Sequence, residues 1–322
     1  MGREGQWIVQ PVSQPINVAD WKGDDEFEVY PEGARDKSLL KSPEQSEYGF
    51  LIPNHRYLFK HSFARHPDQF WTEIIAYQIG CMMEIPVPPA FVAYDSDNNI
   101  CGALIEWFVD YPDEPEERFV SGGDIMTSVI TGFDRKKGKQ HNFLSIEKYL
   151  LALNKKCHVL DWLGYWSDML LFDALIGNTD RHQDNWGLLW AQRHPSVRMA
   201  PVFDNGTGLG YEILESKMEN FSNPSRMQTY IDKGSHHMRW QLIDNKQGQH
   251  VMLLMKLLSK HPALKKRMEN KLALFQREHL KAIMTLCTEY PVNIPFSQAR
   301  ADFVCDLVFA RFKAISNKMT SL

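Results

Sequence analysis

The chain has 322 residues, of which 43% are hydrophobic, 24% charged and 12% aromatic. These fractions exclude disorder as the main state of the chain, because disordered chains lack the aromatic residues that build a core. No apolar run approaches the roughly 18 residues that a membrane-spanning helix requires, so no membrane association is expected. The first residues show neither a signal peptide nor a myristoylation motif, and the sequence predicts a cytoplasmic protein of two domains or lobes.

Charge and cysteine content indicate little about partners. The formal net charge is −4, which does not favour a nucleic-acid-binding protein. From residue 256 onward, 12 Lys and Arg outnumber 5 Asp and Glu. This basic surplus predicts solvated helix faces, with an indirect DNA-associated role as the alternative. The five cysteines lack the spacing of a zinc site or a redox pair, so free thiols and no zinc are expected.

The N-terminal part of the chain predicts mainly β structure. After a segment of loops and short strands, the aromatic run 57–60 predicts a strand, and residues 67–80 predict a helix that ends at its glycine. Two further strands are predicted over 90–94 and 100–108, joined by a turn rich in Asp and Asn. Residues 1–108 therefore predict a small, mostly β lobe.

Residues 109–322 predict a larger, mainly helical lobe. Apolar residues recur at helical spacing over 160–176, and two short strands over 187–190 and 197–203 predict a hairpin inserted between helices. Three C-terminal helices are predicted over 251–258, 264–275 and 303–314. The predicted fold class is therefore α+β, with two lobes of unequal size.

The segment 176–187, between the predicted helix and hairpin, is polar at nearly every position from Asp180 to Asn185. Asp204 follows Asn185 by 19 residues, at a predicted strand end. A hairpin between them would bring the Asn185 amide and the Asp204 carboxylate together, and such oxygen ligands suit Mg²⁺. Each of these residues alone is equally typical of turns and helix caps, so the chemistry rests on their joint spacing.

Protein kinases share this order of an Asp, an Asn five residues later and an Asp at the next strand end. Phosphoryl transfer also requires a cation on the phosphates and a group that holds it. Lys60 ends a predicted strand and Glu73 follows 13 residues later on the predicted helix, so we predict an ion pair between them. The stretch from Glu106 to Phe108 predicts the hinge between the lobes, where adenine would meet backbone groups.

Residues 177–185 (Gly-Asn-Thr-Asp-Arg-His-Gln-Asp-Asn) and 203–206 (Phe-Asp-Asn-Gly) resemble the HipA-like family of bacterial serine/threonine protein kinases, many of which act as toxins of toxin–antitoxin pairs. Segments 57–60 and 73–77 resemble the ATP-lobe Lys and Glu of that family. The resemblance covers residues 30–290 and implies a two-lobed protein-kinase-like fold. It also implies ATP and Mg²⁺ as cofactors, and phosphoryl transfer to a Ser or Thr hydroxyl of a protein substrate.

The resemblance assigns a role to each matching residue. Asp180 would accept or orient the proton of the substrate hydroxyl, and Asn185 and Asp204 would hold Mg²⁺. Lys60 would contact the α- and β-phosphates, and Glu73 would position Lys60.

Two neighbours of Asp180 complete the assigned loop. His182 is placed in the nucleotide site, chiefly as a residue that structures the loop. Arg181 is expected to structure the loop or to touch phosphate.

The same loop is equally similar to that of phosphatidylinositol kinases, so a lipid or small-molecule kinase remains the nearest alternative. A non-catalytic pseudokinase is a further alternative, which the presence of all five assigned residues disfavours.

The sequence departs from the usual kinase pattern before Lys60, where no Gly-x-Gly-x-x-Gly occurs. The phosphate loop is assigned to residues 33–38, with Gly33 and Lys37 as nucleotide-binding residues. A phosphoserine in or near this loop would repel the phosphate groups of ATP through its negative charge. Three serines in this region are therefore candidate autophosphorylation sites. They are Ser38, Ser42 and Ser46.

A second departure concerns the extra N-terminal subdomain of full-length HipA-type kinases. Too few residues precede Gly33 to form it. The expectation is therefore a short, stand-alone type, whose partner would be a small protein similar to that subdomain or an antitoxin.

Overall fold

A computed structural model describes residues 3, 6–23, 37–111, 117–191 and 196–321 of the chain. The strands, in chain order, are β1 (Ile16–Asn17), β2 (Lys22–Gly23), β3 (Lys37–Lys41), β4 (Arg56–His61), β5 (Ala90–Asp95), β6 (Ile100–Glu106), β7 (Glu117–Ser121), β8 (His158–Leu160), β9 (Gly187–Ala191) and β10 (Ser196–Met199). The helices are α1 (Trp71–Met82), α2 (Gly122–Val129), α3 (Phe143–Asn154), α4 (Trp162–Ile176), α5 (Pro224–Lys233), α6 (His250–Lys260), α7 (Leu264–Leu274), α8 (Arg277–Thr288) and α9 (Gln298–Thr320). A 3-10 helix spans Glu215–Ser222.

The N-terminal sheet has the strand order β1-β5-β6-β4-β3-β2. Its strands pair antiparallel except for β1, which runs parallel to β5. The central strand β4 places Lys60 opposite Lys37 of β3 on one side and Ala103 of β6 on the other. Lys60 therefore lies in the middle of the sheet, where neighbouring strands restrict its backbone.

Helix α1 packs on β5 and β6 with one side and approaches α8 with another. It continues two residues past the predicted stop at Gly80. A Cβ at Gly80 would lie 2.5 Å from the Val87 side chain, so this glycine serves close packing and does not end the helix. The Trp71 indole donates a hydrogen bond to the Ile294 carbonyl at 3.1 Å, near α9. Helix α1 thus shares its core with the C-terminal helices.

The second sheet has the order β7-β9-β10-β8 and contains the predicted hairpin, in which Val197 pairs with Trp190. Strand β10 ends at Met199, four residues before the predicted end, because Pro201 has no N–H to donate to a ladder. The chain beyond it is held by Val202, whose N–H bonds the Pro86 carbonyl at 2.8 Å. This segment leads directly to Asp204.

Helix α4 is the centre of the helical part, and nearly all of its residues are buried. An all-round apolar helix is expected at a core position. It ends at Gly177, whose φ of +71° gives the left-handed C-cap that favours glycine. The polar segment that begins at Asn178 thereby leaves the core at a fixed point.

The architecture is α+β, with a mostly β N-terminal part and a larger helical part, as the sequence predicted. The division into domains at residue 108 stays a prediction. All five cysteines are free thiols. Within the described part of the chain, no helix has both the length and the apolar character needed to cross a membrane.

Candidate active site

The centre of the site is Lys60, which contacts two carboxylates. Its Nζ lies 2.7 Å from Oε1 of Glu73 on α1, and it also forms a close ion pair with Oδ1 of Asp204. The second oxygen of Glu73 accepts the Asn205 N–H at 2.9 Å. Lys60 and Glu73 are both buried, so each needs the other as a counter-charge. The ion pair predicted from the spacing of Lys60 and Glu73 is therefore present.

Asp204 is held in an uncommon backbone conformation. Its φ is +57°, a left-handed value that Asp and Asn adopt more readily than other non-glycine residues. The next residue fixes the turn, because the Asn205 side-chain amide donates to the Val202 carbonyl at 2.9 Å and its oxygen accepts from Arg181 at 2.6 Å. The turn directs the Asp204 carboxylate toward Lys60.

Arg181 is a structural residue and does not reach solvent. Its guanidinium bonds both carboxylate oxygens of Asp173, at 3.0 and 2.8 Å, and also donates to the carbonyls of Asn185 and Phe203. His236 lies 3.0 Å from the same carboxylate. Burial alone would raise the pKa of Asp173, but the Arg181 charge and the His236 hydrogen bond hold it well below its ordinary value. Arg181 thus orders the loop, one of the two roles expected for it.

Asp180 and Asn185 lie at the two ends of this loop. Asp180 is exposed, whereas Asn185 is buried and its Nδ2 donates to the Asp180 carbonyl at 2.8 Å. Desolvation by the surrounding walls raises the pKa of the Asp180 carboxyl, and the Asp204 charge acts in the same direction. His182, between them, accepts the Asp184 N–H on Nδ1 at 3.1 Å and packs 5.9 Å from the His237 ring. These contacts give His182 a role in shaping the loop.

Asn178 joins the two loops, although the sequence analysis gave it no role. Its Oδ1 accepts the Asp180 N–H at 3.0 Å and the Thr207 hydroxyl at 2.7 Å. Its Nδ2 lies 3.4 Å from the Asp204 carbonyl. The sequence signal for Asn178 is weak, since Asn after a helix-ending Gly is typical of any turn. The signal for Asp173 was stronger, because a carboxylate inside an apolar helix requires a buried partner.

The donor set fits Mg²⁺. With Nδ2 of Asn185 engaged by the Asp180 carbonyl, its Oδ1 has no hydrogen-bond partner in the described ranges and can serve as a ligand. Asp204 supplies a carboxylate. One carboxylate and one amide oxygen form the protein share of a magnesium site that phosphate oxygens complete. No group of three or more His, Cys, Asp or Glu within the described residues is arranged to bind a metal without such help.

The hinge from Glu106 to Phe108 stays a prediction, and the structure shows the surroundings of the Glu106 side chain. The Glu106 carboxylate is buried and accepts from Tyr111 at 3.0 Å, from Tyr57 at 3.4 Å and, in a close pair, from Arg3. Burial raises its pKa, and the Arg3 guanidinium opposes that rise. Tyr57 and Lys60 are three residues apart on one strand and so face opposite sides of the sheet. The Glu106 side chain therefore does not face Lys60, and its N–H is already bonded to the Pro89 carbonyl.

Phe108 lies in a small apolar cluster next to Asp204. Its ring is 5.0 Å from Phe203 and 5.4 Å from Phe119, and the cluster also contains Leu39 of β3 and Leu189 of β9. The sequence analysis named Phe108 but missed the two leucines, because Leu39, Phe108 and Leu189 come from three distant parts of the chain. Of the proposed phosphate loop, Lys37 lies in β3 opposite Lys60, and Gly33 lies outside the described residues.

The fold and this cluster of Lys, Glu, Asp and Asn define a kinase-like α+β protein. The chain belongs to the HipA-like C-terminal domain family, whose sequence model matches residues 30–273. The family resemblance and the kinase-like fold predicted from the sequence are thereby confirmed.

Three individual comparisons describe proteins that are similar to this chain. The serine/threonine-protein kinase CtkA of Helicobacter pylori is 47% identical over 45 residues, a match that spans 14% of this chain and 14% of that protein. The crystal structure of the Helicobacter pylori proinflammatory kinase CtkA has a TM-score of 0.72 at 17% identity and covers 96% of this chain and 99% of its own. Shewanella oneidensis HipA, solved with HipB and operator DNA, has a TM-score of 0.51 at 15% identity. That match covers 91% of this chain and 66% of the HipA chain. At these identities the structural likeness shows the fold.

Proposed function

We propose that this protein is an ATP-dependent kinase that transfers the γ-phosphoryl group to a serine or threonine hydroxyl of a protein. The observation that carries the proposal is Lys60, held between Glu73 of α1 and Asp204. A lysine paired with a helix glutamate, beside a metal-binding aspartate, is the arrangement that positions phosphates in protein kinases. The similarity to the serine/threonine-protein kinase CtkA supports the choice of a protein substrate.

The chain's own residues would divide the work as follows. Lys60 would bind the α- and β-phosphates while Glu73 keeps its Nζ in place. Asn185 and Asp204 would hold Mg²⁺, which neutralises charge on the phosphates when bound. Asp180 would orient the substrate hydroxyl and accept its proton, which its exposure and raised pKa favour.

The apolar cluster around Phe108 supports a place for the adenine ring. Leu39, Leu189 and Phe203 form apolar walls, and backbone groups near Phe108 would supply polar contacts. Gly33 and Lys37 remain proposed phosphate-binding residues. A cytoplasmic location follows from the proposed use of ATP.

Radiolabelled ATP tests the reaction and its substrate together. Wild type should label dephosphorylated casein in the presence of Mg²⁺, and Asp180→Asn and Asp204→Asn should each reduce that labelling by at least about 100-fold. Asp97→Asn, in an exposed hairpin turn, is the matched control and should retain full activity. Equal activity of wild type and Asp180→Asn would refute the site.

The same assay separates the alternatives. Labelling of phosphatidylinositol vesicles without labelling of protein would favour a lipid kinase. Binding of ATP with no labelling of any acceptor would favour a pseudokinase.

Autophosphorylation is a further part of the proposal. Ser38 is exposed on β3 and Ser46 is half-exposed, whereas Ser42 is buried. The Ser42 hydroxyl donates to the Ile52 carbonyl at 2.6 Å and accepts the His55 N–H at 3.0 Å. Mass spectrometry should therefore find phosphate on Ser38 or Ser46 in the wild type and not in Asp180→Asn.

Partners are proposed by analogy. The Shewanella oneidensis HipA structure is described as a toxin–antitoxin system with HipB and operator DNA. A small antitoxin or a protein similar to the HipA N-terminal subdomain would bind this chain, and DNA would be reached only through such a partner. Co-purification of the native protein from its own cells, followed by mass spectrometry, tests this.

A further inference from the structure

A cavity of about 500 Å³ lies between α5, α6 and the last turns of α9, apart from the site described above. Its walls include Ile231, Gly234, Gln249, His250, Ala314 and Asn317. The exposed Asp232 and Lys318 add one charge of each sign. A volume of this size is typical of small-molecule sites.

Arg311 is buried beside this cavity without a direct salt bridge among the described residues. It lies on α9 one turn before Ala314 and is 4% exposed. It forms no ion pair with any carboxylate that the structure describes, and its Nε has no hydrogen-bond partner. Its guanidinium lies 5.7 Å from the centre of the Tyr230 ring, and the Tyr230 hydroxyl in turn donates to Glu212. The Glu212 carboxylate therefore acts on Arg311 from behind the Tyr230 hydroxyl and not in direct contact. A buried guanidinium without a directly paired anion is costly, which distinguishes Arg311 from the fully paired Arg181.

Gly234 connects Arg311 with the cavity. A Cβ at this position would lie 3.5 Å from Nη1 of Arg311 and 3.2 Å from Nδ1 of His250. The guanidinium and the imidazole therefore approach the same corner of the wall, at Gly234.

His250 presents a hydrogen-bond acceptor at that corner. Its Nε2 lies 2.7 Å from the Asn178 carbonyl, which can only accept, so Nε2 carries the proton. In the neutral ring Nδ1 then holds a lone pair, and this buried atom has no partner. A molecule in the cavity must supply a donor to satisfy it.

We propose that this cavity binds a small anionic molecule, whose phosphate or carboxylate pairs with Arg311 and whose hydroxyl or amino group donates to Nδ1 of His250. The site would communicate with the active site through short contacts. His250 bonds the backbone of Asn178, and the Asn178 side chain accepts the N–H of Asp180. The binding itself does not depend on the proposed kinase activity.

Isothermal titration calorimetry at constant ionic strength tests the proposal with three probes: inorganic phosphate, malate and succinate. Malate and succinate differ by one hydroxyl, so tighter binding of malate is expected if His250 accepts a hydrogen bond. Wild type should bind phosphate or malate saturably, and the two arms tell a phosphate site from a carboxylate site. Arg311→Met should weaken binding at least about tenfold, the loss expected for a charge-assisted hydrogen bond.

Two further variants keep the test decisive. Ala314→Trp fills the cavity, leaves Arg311 in place and should also abolish binding, so the test does not depend on the folding of Arg311→Met. Lys60→Met removes the proposed nucleotide phosphate site and should leave binding unchanged. The proposal is overturned if no probe binds wild type saturably, if Ala314→Trp binds as wild type does, or if Lys60→Met alone abolishes binding.

Discussion

Arg181 and Asp173 form a two-point ion pair in which neither side chain is exposed to solvent. The same guanidinium bonds the backbone of Asn185 and Phe203 and the side chain of Asn205. One buried charge pair therefore fixes both loops that carry the proposed magnesium ligands.

Replacing Asp173 by Asn should lower the free energy of unfolding by about 3–5 kcal/mol, because Arg181 stays buried without its counter-charge. Chemical denaturation measures the effect. Asp161→Asn is the matched control, since Asp161 forms an exposed pair with Arg267 worth at most about 1 kcal/mol. Combining Asp173→Asn with Arg181→Met should recover part of the loss. An effect of Asp173→Asn no larger than that of Asp161→Asn would contradict this account.

Glu73→Gln should reduce phosphoryl transfer by about 10- to 100-fold, the loss expected when a hydrogen bond between charged groups is removed. The amide can still accept the Asn205 N–H, so the turn before Asp204 should keep its shape. Initial rates over a range of ATP concentrations measure the change. Glu84→Gln, at an exposed position two residues past α1, should leave the rate unaltered. Unchanged activity of Glu73→Gln would show that Lys60 does not need this partner.

Buried histidines should make the fold sensitive to acid. Burial lowers the pKa of His55 to about 4 and that of His250 to about 3. The unfolded chain protonates its histidines near pH 6.5. These histidines therefore do not reduce the free energy of unfolding above about pH 6.5. Below that pH the free energy of unfolding falls, by up to about 1.4 kcal/mol per pH unit for each such residue. For His55 the decline continues to about pH 4.

Urea denaturation between pH 7.5 and 4.5 measures this slope. His55→Gln should reduce the slope of the free energy of unfolding against pH by the contribution of one titrating group, up to about 1.4 kcal/mol per pH unit. His158→Gln, at an exposed position, serves as the control. A slope that is the same in His55→Gln and in wild type would remove His55 from the explanation.

Gly122→Ala should disturb the loop between Asp180 and Asn185. A Cβ at Gly122 would lie 2.5 Å from the Gln183 carbonyl and would also meet the Trp186 ring. Overpacking of this kind costs about 1–3 kcal/mol, and a displaced Gln183 should lower phosphoryl transfer as well. Thermal unfolding and the labelling assay measure both effects. Gly49→Ala, where the added methyl meets no atom within 4 Å, should change neither.

The sequence allowed prediction of the segments with strong local patterns. Apolar periodicity predicted helices α4, α6, α7 and α9. Motif spacing singled out the five site residues Lys60, Glu73, Asp180, Asn185 and Asp204. Helices α2, α3, α5 and α8 escaped prediction. The polar caps of α2 and α3, Ser121 and Asn142, look like ordinary loop residues. Long-range pairing was also out of reach. The parallel contact of β8 with β10 and the bond from Tyr290 to the Gln10 carbonyl depend on how distant segments pack.

Helix α1 carries Glu73, and its first residue is a fully buried tryptophan bonded to the Ile294 carbonyl. In many protein kinases activity is switched by moving the helix that bears this glutamate. Here an outward swing would expose Trp71 to water at a cost of about 3 kcal/mol from that side chain alone. The packing of Trp71 therefore holds helix α1 against the C-terminal helices, and any control that moved Glu73 would have to overcome this cost.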